Sequence, residues 1–87
     1  MRNITFDPKA FAQFNEWSAE NKQIHEKIVT LINDIGRNPF TGLGKPEALR
    51  HEYQDCWSRR ITDEHRLVYR VNDNQILILN CKYHYAK

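Results

Sequence analysis

Eighty-seven residues, with 13 Lys+Arg against 11 Asp+Glu and a formal net charge of +2, describe a single domain (1–87) with one modest core. That size leaves little room for a deep pocket, so an active site should be a surface groove, and so small a net charge does not by itself demand a polyanionic partner. No apolar run is long enough to span a bilayer and no signal peptide is visible, so a cytoplasmic protein away from membranes is expected.

Asn3 to Phe6 reads as a short first strand, with Ile4 and Phe6 on one face. Asp7-Pro8 then has the form of a helix N-cap followed by proline at the first helical position. A first helix carries Phe11, Phe14 and Trp17 near one side, a pattern that points to core packing. Asn21 can cap a second helix, in which Ile24, Ile28, Leu31, Ile32 and Ile35 repeat at helical spacing, and Gly36 stands where a left-handed C-cap belongs. Two helices so closely joined should pair antiparallel and lay their apolar faces on a sheet.

Arg37 to Leu49 reads as a loop rich in turn formers: Asn38-Pro39, Thr41-Gly42, Gly44 and Pro46. Its Gly42-Leu-Gly-Lys45 is not a phosphate-binding Walker loop, because the spacing and the final Ser/Thr are missing. Cys56 to Thr62 and Arg66 to Val71 then read as two strands flanking Asp63-Glu64-His65, a hairpin loop. Its register matters. A two-residue loop pairs Ile61 with Arg66 and puts Arg60 and Arg66 on opposite faces, whereas a three-residue loop pairs Ile61 with His65 and brings both arginines to one face.

After the turn at Asn72-Asp73-Asn74-Gln75 comes the stretch Ile76 to Tyr85, around which the chain is organised. Its unbroken apolar start predicts a strand covered on both faces. Its polar end, if still extended, places Lys82 and His84 on one face and Tyr83 and Tyr85 on the other. Cys56 and Cys81 fall in predicted strands without metal-ligand spacing and read as free buried thiols, a disulfide between neighbouring strands being the lesser alternative. The order β-α-α-β-β-β makes an α+β domain: a largely antiparallel sheet with a helical hairpin on one face.

Residues 45–70 hold Lys45, Arg50, Arg59, Arg60, Arg66 and Arg70, and guanidinium forks suit phosphate. The polar residues without an obvious core role are Glu47, Arg50, Arg60, Arg66, His84 and Tyr85. A carboxylate, an imidazole and a guanidinium are what RNA cleavage without a metal or cofactor requires: a base for the 2′-hydroxyl proton, an acid for the departing 5′-oxygen, and a cation for the phosphoryl oxygens. Each also has an ordinary role, as a solvated loop glutamate, arginines paired with Asp63 or Glu64, or an idle near-terminal histidine. His25, His51 and His65 read as surface residues.

Three blocks make a family resemblance specific: Arg37-Asn-Pro-Phe-Thr-Gly-Leu-Gly-Lys-Pro-Glu47, Trp57-Ser-Arg-Arg-Ile-Thr-Asp-Glu-His-Arg-Leu-Val-Tyr69 and Cys81-Lys-Tyr-His-Tyr85. Across essentially its whole length the chain resembles the YoeB (Txe) toxins of bacterial toxin–antitoxin systems, within the RelE superfamily. The resemblance implies a small α+β endoribonuclease of microbial-RNase-like fold that binds in the ribosomal A site, cuts messenger RNA there and inhibits translation. It implies a base at Glu47, a phosphate-stabilising arginine at Arg66, a general acid at His84 and a site-shaping terminal aromatic at Tyr85. Lys45, Arg50 and Arg60 would contact RNA phosphates, with Arg50 standing where the family often has lysine. Leu43 and Ala48 also depart from the commoner pattern, and Ala86 and Lys87 extend past the usual terminal tyrosine. The implied protein partner is a YefM-like antitoxin with an acidic flexible segment, and a homodimer is left open. The rival readings are a non-catalytic ribosome- or RNA-binding module, a co-repressor acting only through its antitoxin, and a toxin that has lost activity.

Overall fold

In the computed structural model, which describes residues 2–50 and 53–84, the chain runs β1 (Asn3–Phe6), α1 (Pro8–Glu20), α2 (Lys22–Arg37), β2 (Glu47–Ala48), β3 (Cys56–Arg60), β4 (Arg66–Val71) and β5 (Gln75–Asn80). The strands form one sheet in the order β1-β5-β4-β3-β2. β3, β4 and β5 are the expected antiparallel meander. β1 closes one edge parallel to β5, and β2 closes the other antiparallel to β3. The α+β class stands as expected, with one addition: the stretch 37–49 is not all loop, because Glu47 and Ala48 pair with Ser58 and Trp57.

The helix ends follow from their caps. Asp7 accepts a hydrogen bond from the Lys9 N–H at 3.0 Å, with Pro8 at the first helical position. Asn21 serves both helices: its own N–H donates to the Trp17 carbonyl, and its side chain accepts from the N–H groups of Gln23 and Ile24. Gly36 does not end α2. The helix continues to Arg37 and is capped by Asn38 in an extended conformation, so no left-handed residue is needed as the chain turns toward Pro39. On α2, Ile28, Leu31 and Ile35 are buried and Ile24 and Ile32 half-buried, as the spacing predicts. On α1, Trp17 is buried and Phe14 half-buried, but Phe11 is 53% exposed and meets the Phe6 ring in a T-shaped contact.

Both helices pack on one face of the sheet, where Ile61, Leu67, Tyr69, Ile76 and Ile78 complete the core. Each fully buried Ile or Leu there contributes about 1.5–3 kcal/mol relative to exposure. β5 is buried on that face alone. Leu77 and Leu79 are half-buried, because no helix covers the opposite side. A bulge makes Leu79 the extra residue of β5, since Val68 pairs with Asn80 but Tyr69 with Ile78. The strand ends at Asn80, and Tyr83 is left-handed with φ +60°, so the simple alternation expected for Lys82 to His84 does not hold. Cys56 and Cys81 are buried free thiols, and burial, with Glu16 nearby, pushes the Cys81 thiol up to about 12. No helix among the described residues is long and apolar enough to cross a membrane.

Candidate active site

Side chains that share a face on neighbouring strands can be read from the register. Arg60 pairs with Arg66, and the Ile61 N–H donates to the His65 carbonyl at 3.0 Å. The hairpin loop is therefore Thr62 to Glu64, three residues long, the register that brings both arginines to one face. The Arg60 N–H goes to Gly44 and the Arg66 N–H to Tyr83, so the two arginines form a non-hydrogen-bonded pair, whose Cα atoms lie about 4.5 Å apart. Like charges directly opposite each other are unfavourable. Asp63, fully exposed, reaches Arg60 at only 3.6 Å. One Nη1 of Arg66 ties down the loop carbonyls of Thr62, Asp63 and His65, while its Nε and Nη2 carry no hydrogen bond among the described residues. Such a pair is poised for an anion.

Glu47 pairs with Ser58, two residues before Arg60, and so shares that face as a diagonal neighbour of the arginine. Lys45, Pro46, Glu47, Ser58, Arg60 and Arg66 line one open pocket of about 280 Å³ on the side of the sheet away from the helices. The Glu47 carboxylate makes no hydrogen bond or ion pair among the described residues, and the residue is exposed. Neither Arg50 nor His84 is in that lining. Arg50 lies exposed beyond β2, where its carbonyl accepts the Tyr53 N–H. His84 is exposed next to Tyr83, whose carbonyl accepts the Arg66 N–H at 3.0 Å. The order across the face is thus β2, β3, β4 and the 81–84 segment. Counted across the chain segments, the backbones of Glu47 and His84 lie on opposite sides of the arginine pair. Carboxylate and imidazole do not hydrogen-bond each other. Tyr85 and His51 lie outside the described residues.

A residue not singled out in the sequence sets the near side of this groove. Arg59 alternates with Trp57 and Ile61, so it points into the core, and its side chain is fully buried. Its guanidinium is saturated: Nη1 donates to Asp34 at 2.6 Å and the Leu43 carbonyl at 2.9 Å, Nη2 to the carbonyls of Asn38 and Thr41, and Nε to the Tyr69 hydroxyl. That hydroxyl in turn donates to the Pro39 carbonyl at 2.7 Å. Asp34 also accepts the Leu43 N–H at 2.9 Å. The Leu43 amide, then Arg59, hold the Asp34 carboxyl below its ordinary range, while burial pushes the Tyr69 phenol up. Gly42, at φ +125°, lies where a Cβ would be 2.1 Å from Asp34 Oδ2, and Gly44, at φ +78°, where one would be 3.0 Å from the Arg60 carbonyl. The loop must press this closely to deliver Lys45 and Glu47 to the edge of β3. Period-two alternation around Trp57 was the signal for Arg59.

The far side is held differently. Asn80 Nδ2 donates to the carbonyls of Lys82 and Tyr83, the Trp17 indole N–H to the Cys81 carbonyl, and Gln13 Oε1 accepts the Cys81 N–H. Lys82 bonds Glu16 and Glu20, which raise its pKa. His65 is not a surface residue: it is 7% exposed, wedged between Trp17 and Tyr83, because the three-residue loop turns it toward α1. His25 is half-buried, stacked on Phe14 at 4.4 Å.

Residues 6–85 match the model of the YoeB-like toxin of the bacterial type II toxin–antitoxin system. The chain belongs to that family. The toxin YoeB of Escherichia coli K12 is 55% identical over 82 residues, which cover 94% of this chain and 98% of that one. Among solved structures, the YoeB dimer from Staphylococcus aureus superimposes with a TM-score of 0.89 at 47% identity, covering 97% of this chain and 98% of that one. The YoeB–YefM complex from the same organism gives 0.87 at 48% identity, covering 98% and 99%. The YoeB family match takes in all seven candidate positions: Lys45, Glu47, Arg50, Arg60, Arg66, His84 and Tyr85.

Proposed function

We propose that the chain is the toxin of a toxin–antitoxin pair and acts as a ribosome-dependent endoribonuclease, cutting messenger RNA in the A site by metal-free acid–base chemistry. Glu47 takes the proton from a 2′-hydroxyl, and the freed oxygen attacks the adjacent phosphorus. Arg66, with Arg60, stabilises charge on the non-bridging oxygens, and His84 gives a proton to the departing 5′-oxygen. The products are a 2′,3′-cyclic phosphate and a free 5′-hydroxyl. Tyr85 shapes the acid side, and Lys45 and Arg50 contact flanking phosphates.

The observation that carries this reading is the face shared by an unpaired carboxylate and two opposed guanidiniums, with an exposed imidazole next in the chain to Tyr83, whose carbonyl accepts the Arg66 N–H. A groove this open suits a substrate presented by another machine, since positioning then comes from the ribosome rather than from a deep pocket. A YefM-like antitoxin is the proposed partner, its acidic segment covering the arginine pair. The S. aureus dimer favours a homodimer of this chain too.

Translation in vitro with added protein tests the reading, with mRNA ends mapped by primer extension. The wild type should produce breaks at the A-site codon, whereas Glu47→Gln and His84→Gln should each cut about 10²–10⁴-fold more slowly while still binding ribosomes. Intact messages with the wild type would refute the nuclease. Undiminished cutting by both variants would refute the acid–base assignment. Arg60→Glu with Arg66→Glu should also weaken antitoxin binding, and unchanged affinity would exclude direct coverage of the groove.

A further inference from the structure

Tyr83, one residue before the proposed proton donor, has φ +60°, a left-handed backbone that bulky side chains rarely adopt. Two consecutive residues grip it there. The Tyr83 N–H donates to Nδ1 of His65 at 2.6 Å, and the Tyr83 carbonyl accepts from the Arg66 N–H at 3.0 Å. The His65 ring is fixed by packing, with Trp17 edge-on at 4.8 Å and the Tyr83 ring at 5.1 Å. The His65 backbone N–H is anchored on the Thr62 hydroxyl at 3.1 Å. Glu64, on a largely exposed side chain, approaches Nε2 at 3.7 Å. Because Nδ1 accepts, any ring proton of the neutral imidazole sits on Nε2. Trp17, Gln13 and Asn80 hold Cys81 and the carbonyls of Lys82 and Tyr83, but among the described residues only His65 receives the Tyr83 N–H.

We infer that His65 is a positioning residue for the proton donor: by accepting the Tyr83 N–H at Nδ1, it holds the left-handed turn that sets His84 beside Arg66. The contact stands on geometry, while its consequence for cleavage rests on the nuclease reading above. His65 touches no reacting atom. It acts by fixing the chain from which His84 projects, and a displacement of about 1 Å at a reacting group can cost on the order of 100-fold in rate.

The substitution pair His65→Asn and His65→Gln separates this role from simple space filling. Asparagine places its carbonyl oxygen near the position of Nδ1, whereas glutamine carries its oxygen toward the position of Nε2. His65→Asn should cut ribosome-bound mRNA within about threefold of the wild type, and His65→Gln about 100-fold more slowly at unchanged ribosome affinity. In the wild type, NMR should detect a through-hydrogen-bond coupling between the Tyr83 amide nitrogen and His65 Nδ1. Absence of that coupling, or equal impairment of both variants beside an active wild type, would overturn the positioning role alone. A wild type that leaves ribosome-bound mRNA intact would overturn the nuclease reading, and this inference with it.

Discussion

Glu47 and His84 flank the same arginine pair, yet different interactions hold them in place. On the Glu47 side, a buried guanidinium makes five hydrogen bonds inside a loop that also pairs with β3. On the His84 side, neutral donors and acceptors hold the backbone of residues 81–83, with one exposed ion-pair cluster outside them. A buried charge cannot lose its partners cheaply, whereas neutral contacts can be exchanged one at a time. The proposed base is therefore built into the body of the domain, and the proposed acid is carried on a short arm strapped to it.

The largest effect expected from breaking this contrast is at Arg59. Arg59→Met removes the guanidinium donors to the Asn38, Thr41 and Leu43 carbonyls and leaves Asp34 with only the exposed Arg37, at 3.8 Å, as a cation, which should lower stability by about 3–5 kcal/mol in urea unfolding. Cleavage should fall with it, even though Arg59 lies outside the groove. Gly44→Ala tests the close approach of the same loop. A left-handed Cβ, with the Arg60 carbonyl and Leu31 Cδ2 both at 3.0 Å, should cost about 1–2 kcal/mol in the same assay. On the opposite side, Lys82→Gln removes the ion pairs to Glu16 and Glu20, both about half exposed, and should change stability by no more than about 1 kcal/mol.

A finer distinction appears in acid. The folded-state pKa of Asp34 lies below its ordinary 3.8, because the Leu43 amide and then Arg59 favour the carboxylate. Its contribution is fully present above the ordinary value and is lost as pH falls through the lower, folded one. Melting temperatures measured across pH 2–5 (roughly the span over which such a carboxyl titrates) should fall less steeply for Asp34→Asn than for the wild type. Parallel curves would remove Asp34 from the account of the loop.

The same contrast explains what the sequence made legible. Local signals were clear: the caps Asp7 and Asn21, the α2 stripe from Ile24 to Ile35, and the hairpin whose register followed once its loop was three residues long. Features set by distant partners were not. Arg59 looks like a second surface arginine beside Arg60 until its alternation with Trp57 and Ile61 is followed into the core and its partners 16 to 25 residues away are seen. Glu47 and Ala48 form a strand only because β3 offers an edge, too short a pairing to leave a period of its own. His65 looks like a polar turn residue, and its burial depends on Trp17, far back in α1. Gly36 carried a capping signal that Asn38 fulfilled instead. The types of the candidate site residues could be listed from sequence, but their common face depended on one residue of loop length.

The chemistry of the cut ends tests the central claim most directly. If Glu47 frees a 2′-hydroxyl to attack its neighbouring phosphate, mRNA fragments from ribosomes treated with the wild-type chain will carry a 2′,3′-cyclic phosphate upstream of the break and a 5′-hydroxyl downstream. Fragments ending in a 3′-hydroxyl and a 5′-phosphate would show that water, not the transcript, was the nucleophile, and would contradict the account.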